Sequence, residues 1–136
     1  MRNDNIVNNK NKASINGVRT VGIPVTDQDR ALKFYVDTLG FEKRLDVPLQ
    51  HPGQRWIEVA PAGSTTTIAL VGTREGLPVG VETGIRLTTD DAARVHARFL
   101  ESSVEVGELL RWEGVPPMFS FRDQDGNGLA IVGAQS

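Results

Sequence analysis

Hydrophobic and polar residues alternate in two stretches of this chain that are built alike. In the run 18–25, β-branched residues stand at every second position near its end, which is typical of a strand with one face against a helix. The pattern of residue types in residues 20–27 is repeated in residues 84–91, and the pattern in residues 68–72 is repeated in residues 129–133. Two half-chains built on one plan predict a pair of similar modules.

Each half also carries a helical pattern after its first strand. The apolar stripes consist of Leu32, Tyr35, Val36 and Leu39 in the first half and of Ala92, Val95, His96 and Phe99 in the second. We expect Thr26 to cap the first helix, and Thr89 or Asp90 to cap the second. Gly40 favours a left-handed helix end. Ser103 stands near the same place in the second half.

Further strands complete the same order of elements in each half. They are predicted at residues 41–47, 55–60 and 65–71, and at residues 84–88, 104–111, 118–121 and 129–132, with residues 72–80 as a linker. The predicted fold class is α+β, with two tandem β-α-β-β-β modules at residues 18–72 and 80–135. The modules form one domain, residues 18–135, after a polar tail at residues 1–17.

One helix in each module can cover only one face of its sheet. We expect the uncovered faces to curve together around a cavity lined by the inward side chains of the strands. Such a cavity is a common setting for a small-molecule pocket, so the function is sought there.

Composition narrows the class of partners. A chain of 136 residues suits one domain. Its formal net charge of -2 gives no reason to expect nucleic acid or an anionic membrane as a partner. The absence of cysteine excludes disulfides, thiolate nucleophiles and cysteine-bound metals.

The tail and the hydropathy of the chain favour a cytoplasmic protein. No apolar run is long enough to span a bilayer, and the Asn-rich tail lacks the apolar segment of a secretory signal. The tail is either a solvated extension or an arm that orders against a partner subunit.

Two motifs carry a resemblance to a known family. Residues 34–41 read FYVDTLGF and match a helix ending in FYxxxLGF, while residues 123–127 read DQDGN and differ by one residue from a DPDGN turn. With the doubled module, residues 18–132 resemble the vicinal oxygen chelate superfamily, which includes glyoxalase I, extradiol dioxygenases, fosfomycin-resistance enzymes and bleomycin-binding proteins. The resemblance implies the glyoxalase/bleomycin resistance fold, a curved mixed sheet around a cavity, and a homodimer.

The resemblance also implies four positions for metal ligands. Enzymes of the family hold a divalent metal with His, Gln or Glu at positions that correspond to Thr20, Ala69, Gly84 and Ala130. Glycine and alanine offer no donor atom and neutral threonine is a weak one, so we predict no metal cofactor. The two histidines, His51 in a loop and His96 on a helix, do not replace the missing ligands. A divalent metal at displaced ligands stays the alternative.

Glu58 is the carboxylate with the strongest functional pattern. Alternation puts Glu58 and Trp56 on the strand face opposite Ile57 and Val59. If the apolar pair packs on the helix, Glu58 faces the cavity, where it can have a raised pKa and act as a base, or bind a cation. The alternative is a rim charge exposed to water.

Aromatic residues and one arginine complete the predicted ligand-binding set. The set comprises Thr20, Trp56, Glu58, Arg86, Trp112, Phe119 and Phe121. In the bleomycin-binding relatives, aromatic side chains line a groove for flat cationic drugs, and stacking and cation–π attraction explain such binding. Here the aromatic residues can equally be core. Arg86 is a candidate contact for an anion.

Two functional classes follow. The first is a protein that binds a small organic molecule, aromatic or cationic, without metal. The second is an enzyme, either a glyoxalase-like lyase or dioxygenase with displaced metal ligands, or an isomerase with Glu58 as its catalytic base.

Overall fold

A computed structural model describes residues 13–50, 53–73 and 78–134. The first module contains β1 (Thr20–Val25), α1 (Gln28–Lys33), β2 (Glu42–Pro48), β3 (Arg55–Ala60) and β4 (Thr67–Gly72). The second module contains β5 (Glu82–Thr89), α2 (Ala92–Glu101), β6 (Glu105–Val106), β7 (Met118–Arg122) and β8 (Gly128–Gly133). A π-helical turn, Phe34–Thr38, extends α1. Neither helix in this part of the chain is long and apolar enough to cross a membrane.

The strands of each module form a four-stranded mixed sheet. The strand orders are β1-β4-β3-β2 and β5-β8-β7-β6. In each sheet the first strand runs parallel to its neighbour, and the other pairs are antiparallel. The tandem β-α-β-β-β fold predicted from the sequence is confirmed.

Both helices begin one or two residues later than the sequence suggested. The Asp27 carboxylate accepts a hydrogen bond from the Arg30 N–H at 3.1 Å, so Asp27 is the cap rather than Thr26. Asp91 caps α2 in the same way. Thr26 is engaged elsewhere, because its hydroxyl and its N–H both donate to Asp125 of the second module, at 2.6 and 3.0 Å.

The predicted equivalence of Gly40 and Ser103 is present in the backbone. Gly40 has a φ of 81° and Ser103 a φ of 61°, so both helices end in the left-handed conformation. Serine carries a Cβ that makes this conformation costly, whereas glycine does not. The repeat therefore extends to local geometry where the residue type has changed.

The strand predicted at residues 104–111 is much shorter than expected. Only Glu105–Val106 pairs with β7, and one isolated bridge joins Leu110 to Met118. After Val106 the N–H of Gly107 donates to the Ser120 carbonyl at 2.8 Å, and the chain then leaves the ladder. The remaining residues form a loop that leads to β7.

The two modules share one hydrophobic core. It joins buried residues of β1, β3, β4 and α1 to Phe99 of α2 and to Phe119 and Phe121 of β7. Above the core, the Tyr35 hydroxyl donates to the Asp123 carboxylate at 2.7 Å, and burial raises the pKa of Tyr35, which keeps it a donor. The helix-facing side of each sheet is thus the packed side, and the opposite side is called the open face below.

Candidate functional site

The open face of the first sheet is defined by strand alternation and register. Ile57 and Val59 are fully buried in the core, so Trp56 and Glu58 point to the other side of β3. Glu58 lies beside Ala69 of β4, and Ala69 lies beside Gly22 of β1. Neighbours in register share a face.

Glu58 is a buried carboxylate with three hydrogen-bond donors. Its side chain accepts from the Trp56 indole N–H at 2.7 Å and from the Thr67 hydroxyl at 2.9 Å. One guanidinium nitrogen of Arg19 lies 3.5 Å from each carboxylate oxygen. Glu58 itself is only 3% exposed. The strand pairing therefore builds a polar cluster, formed by Arg19, Trp56, Glu58 and Thr67, at the centre of the open face.

The pKa of Glu58 is lowered, which corrects the prediction of a raised value. The indole hydrogen bond from Trp56 contributes most to lowering the pKa, burial opposes it, and the Thr67 hydroxyl and Arg19 lower it further. An ionised carboxylate with a low pKa is a weak base. The geometry suits Glu58 for binding a cation better than for abstracting a proton.

We expect Glu58→Gln to lower the free energy of unfolding by about 1–2 kcal/mol at neutral pH, because the amide replaces a charged acceptor of two short hydrogen bonds. Because folding lowers the pKa of Glu58, its ionised carboxylate contributes its full stabilisation at pH values above the ordinary pKa of glutamate. This contribution disappears as the pH falls through the pKa of Glu58 in the folded protein. Urea unfolding of both proteins across the acid range measures the difference. A gap that widens towards low pH would contradict the assignment.

Two apolar side chains of β2 flank the polar cluster on one side. Leu45 lies beside Glu58 and Val47 beside Trp56 in the antiparallel pairing. Val47 is 42% exposed although it is hydrophobic. An indole, an exposed valine and a buried carboxylate together form a surface suited to a molecule with a flat apolar part and a polar group.

Arg86 and Thr20 are two further residues of the predicted ligand-binding set. Arg86 is exposed on the open face of the second sheet, beside Ala130, and it donates to the Gly84 carbonyl at 3.3 Å. It lines a cavity of about 480 Å³ between the modules, which does not include Trp56 or Glu58. Thr20 lies on β1, where its hydroxyl donates to the Thr67 carbonyl at 3.2 Å. The structure brings Thr20 close to the polar cluster and places Arg86 on the other sheet.

The remaining aromatic residues of the predicted set do not join the polar cluster. Phe119 and Phe121, predicted to line the cavity, are buried in the core instead, with ring contacts to Phe99 of α2. Their positions in β7 alternate with exposed Ser120, so they face the helix. Trp112 is 62% exposed in the loop between β6 and β7, and no hydrogen bond or ring contact of the described residues joins it to Trp56.

Residues 17–131 match the Glyoxalase/Bleomycin resistance protein/Dioxygenase superfamily. The chain belongs to this superfamily. The match begins before β1 and ends inside β8, so it spans both modules apart from the last two residues of that strand.

Two solved structures and one curated protein are similar to this superfamily member. TnmS3, an antibiotic binding protein from Streptomyces sp. CB03234, is 34% identical with a TM-score of 0.80, over 90% of this chain and 99% of that one. A superfamily member from Sphaerobacter thermophilus DSM 20745 is 33% identical with a TM-score of 0.81, over 90% and 100%. The protein YetH of Bacillus subtilis (strain 168) is 29% identical over 117 residues, 83% of this chain and 94% of YetH.

The residues at the four positions that the resemblance implies for metal ligands do not fit a divalent metal. Ala69, Gly84 and Ala130 have no side-chain donor, and the Thr20 hydroxyl is engaged with a carbonyl. Within the described ranges, no three or more His, Asp or Glu side chains are grouped so that they could hold an ion. Glu58 is an isolated carboxylate beside Ala69 and uses its oxygens for the polar cluster.

His96 makes packing contacts on α2. His96 is half-buried on α2, its Nε2 lies 2.9 Å from the Gly107 carbonyl oxygen, and its ring packs edge-on against Phe119. These contacts agree with its interpretation as a packing residue. His51 lies outside the described residues.

Arg19 and Thr67 were missed by the sequence analysis. A signal for Thr67 was present, because alternation along β4 puts it on the same face as Ala69 and hence as Glu58. Arg19 precedes β1, and its sequence position alone did not indicate that it reaches β3.

Proposed function

We propose that this superfamily member binds a small organic molecule with a flat aromatic part on the open face of the first sheet, without a metal. The observation that carries the proposal is the Trp56–Glu58 pair, an ionised buried carboxylate bonded to an indole on a partly open apolar surface. The similarity to TnmS3, described as an antibiotic binding protein, supports antibiotics as the ligand class.

Binding is favoured over catalysis by the chemistry of the side chains. Three of the four positions that the resemblance implies for metal ligands have no side-chain donor atom, and the Thr20 hydroxyl is engaged with a carbonyl. The low pKa of Glu58 makes it a weak base. Trp56 offers an aromatic surface whose orientation is fixed by its hydrogen bond to Glu58. Fixed aromatic side chains contribute contact area at little entropic cost, as a binding site requires.

The binding proposal is tested by titrating a panel of aromatic antibiotics. The chain has two tryptophans, so in Trp112→Phe only Trp56 emits, and quenching then reports binding at the open face. We expect Trp56→Ala to weaken binding about 10-fold or more, measured by calorimetry, since the stacking surface is lost.

Leu100→Ala is the matched control, because it removes an exposed apolar side chain from α2. We expect it to leave the affinity unchanged. The proposal fails if no panel member quenches Trp56, or if the Trp56→Ala protein binds as tightly as the wild type. A stoichiometric transition metal that stays bound through dialysis would contradict the metal-free part.

We further propose a homodimer in which the open faces of two copies are brought together. The open face of the first sheet presents the exposed side chain of Val47 beside half-buried Trp56, and burying such apolar surface favours association of two copies. Light scattering is expected to give twice the mass of one chain. A single-chain mass at micromolar concentration would rule out the dimer.

A further inference from the structure

Arg19 covers the carboxylate of Glu58 from the solvent side. Its side chain is 76% exposed while that of Glu58 is 4% exposed. Of the three donors to Glu58, Arg19 alone is an exposed residue, since Trp56 is half-buried and Thr67 is buried. Among the described residues, Arg19 is therefore the polar contact of Glu58 on the solvent side, and arginine has a long side chain with several rotatable bonds.

The contacts of Glu58 differ in quality. The oxygen Oε2 accepts from Trp56 at 2.7 Å and Oε1 accepts from Thr67 at 2.9 Å, both within the normal range. The Arg19 nitrogen lies 3.5 Å from both oxygens, at the long limit for a hydrogen bond. A carboxylate has about four lone-pair sites, so each oxygen keeps capacity for a closer donor on the side of Arg19.

We propose that Glu58 recognises a protonated amine or amidine on the ligand, and that Arg19 holds the place of this group until the ligand displaces it. This inference rests on the proposed binding function and names the charge of the ligand. Trp56 would contact the flat part of the same molecule while its positive group meets the carboxylate.

The energetics favour displacement of Arg19. The Arg19 side chain is exposed and its contacts with Glu58 are long, at 3.5 Å, so moving Arg19 into water costs little. A ligand cation that reaches hydrogen-bond distance from Glu58 gains a charge-assisted bond in a place shielded from salt. A neutral ligand of the same shape gains no such bond, and it leaves the ion pair as it was.

Proflavine and acridine are the probes, since they share a flat tricyclic ring. In slightly alkaline buffer proflavine is a cation and acridine is neutral. We expect the wild type to bind proflavine about 10-fold more tightly than acridine, the difference that one hydrogen bond to a charged group supplies. We expect Arg19→Ala to bind proflavine more tightly than the wild type and acridine equally well.

Arg98→Ala is the matched control, because it removes the same charge from an exposed position on α2. It is expected to change neither affinity. Glu58→Gln is expected to abolish the preference for proflavine. If that variant does not fold, Arg19→Ala decides alone, since Arg19 is exposed.

Weaker proflavine binding by Arg19→Ala would overturn the inference, because Arg19 would then be a ligand contact. Equal binding of the two probes by the wild type would also overturn it. If acridine quenches Trp56 without a preference for the cation, the inference fails while the binding function stands. If neither probe binds, the inference fails, and the antibiotic panel decides separately on the binding function.

Discussion

Asn127→Ala is expected to lower the free energy of unfolding by about 3–5 kcal/mol, because it removes four hydrogen bonds of a side chain that is fully buried. The side-chain amide oxygen of Asn127 accepts hydrogen bonds from the N–H groups of Gly80 and Val81 at 2.9 and 3.0 Å. Its amide donates to the Pro24 carbonyl at 2.9 Å and to Asp123 at 3.0 Å. Chemical denaturation measures the loss, which is a large part of the stability of an ordinary domain.

Gln124→Ala is the control in the same turn. The Gln124 amide donates to Asp125, but its buried carbonyl oxygen has no hydrogen-bond partner in the described part of the chain. Removing an unsatisfied acceptor offsets the lost bond, so we expect a change within about 0.5 kcal/mol. Equal losses for Gln124→Ala and Asn127→Ala would show that the turn does not depend on the asparagine network.

Phe121→Ala is expected to lower the free energy of unfolding by about 3–5 kcal/mol through loss of buried apolar surface and the cavity left behind. Phe121 is 1% exposed, and its ring centroid lies 5.1 Å from that of Phe99. Thermal and urea unfolding measure the effect. The same strand offers Ser120→Ala as a control, since Ser120 is exposed on the opposite face, and its loss is expected to be small.

Phe121→Leu separates core packing from ligand binding. The smaller change keeps the protein folded while it alters the ring that was predicted to contact a ligand. We expect unchanged affinity for any antibiotic that quenches Trp56. A selective loss of affinity in a stable Phe121→Leu protein would return Phe121 to the binding site.

The architecture was predictable because the two halves repeat both the hydrophobic pattern and the residues at which the helices end. Alternating β-branched residues identified β1, and the apolar stripe that contains Leu32 and Tyr35 identified α1 with the π-helical turn that extends it. Gly40 and Ser103 occupy equivalent left-handed positions after the two helices. Such local signals survive without knowledge of tertiary contacts. For the same reason Glu58 and Trp56 were assigned to one strand face correctly.

The remaining features depend on contacts between elements that are distant in sequence. Thr26 has the residue type of a helix cap, but its hydroxyl donates a hydrogen bond to Asp125, which lies 99 residues later in the sequence. Alternation in β7 separated Phe121 from Ser120 without saying which of them faces the helix. The pKa of Glu58 could not be predicted either, since two of its donors, Arg19 and Thr67, come from segments outside β3.

The Thr26–Asp125 contact bears on how the repeat arose. The start of α1 in the first half is bonded by a turn that belongs to the second half. A half-length ancestor would have needed another molecule to supply that turn. Duplication within one chain replaces an encounter between two molecules by a tethered contact, which is favoured by high effective concentration. Fusion of two copies would then have freed each half to change its sequence, as long as the contact between Thr26 and Asp125 was kept.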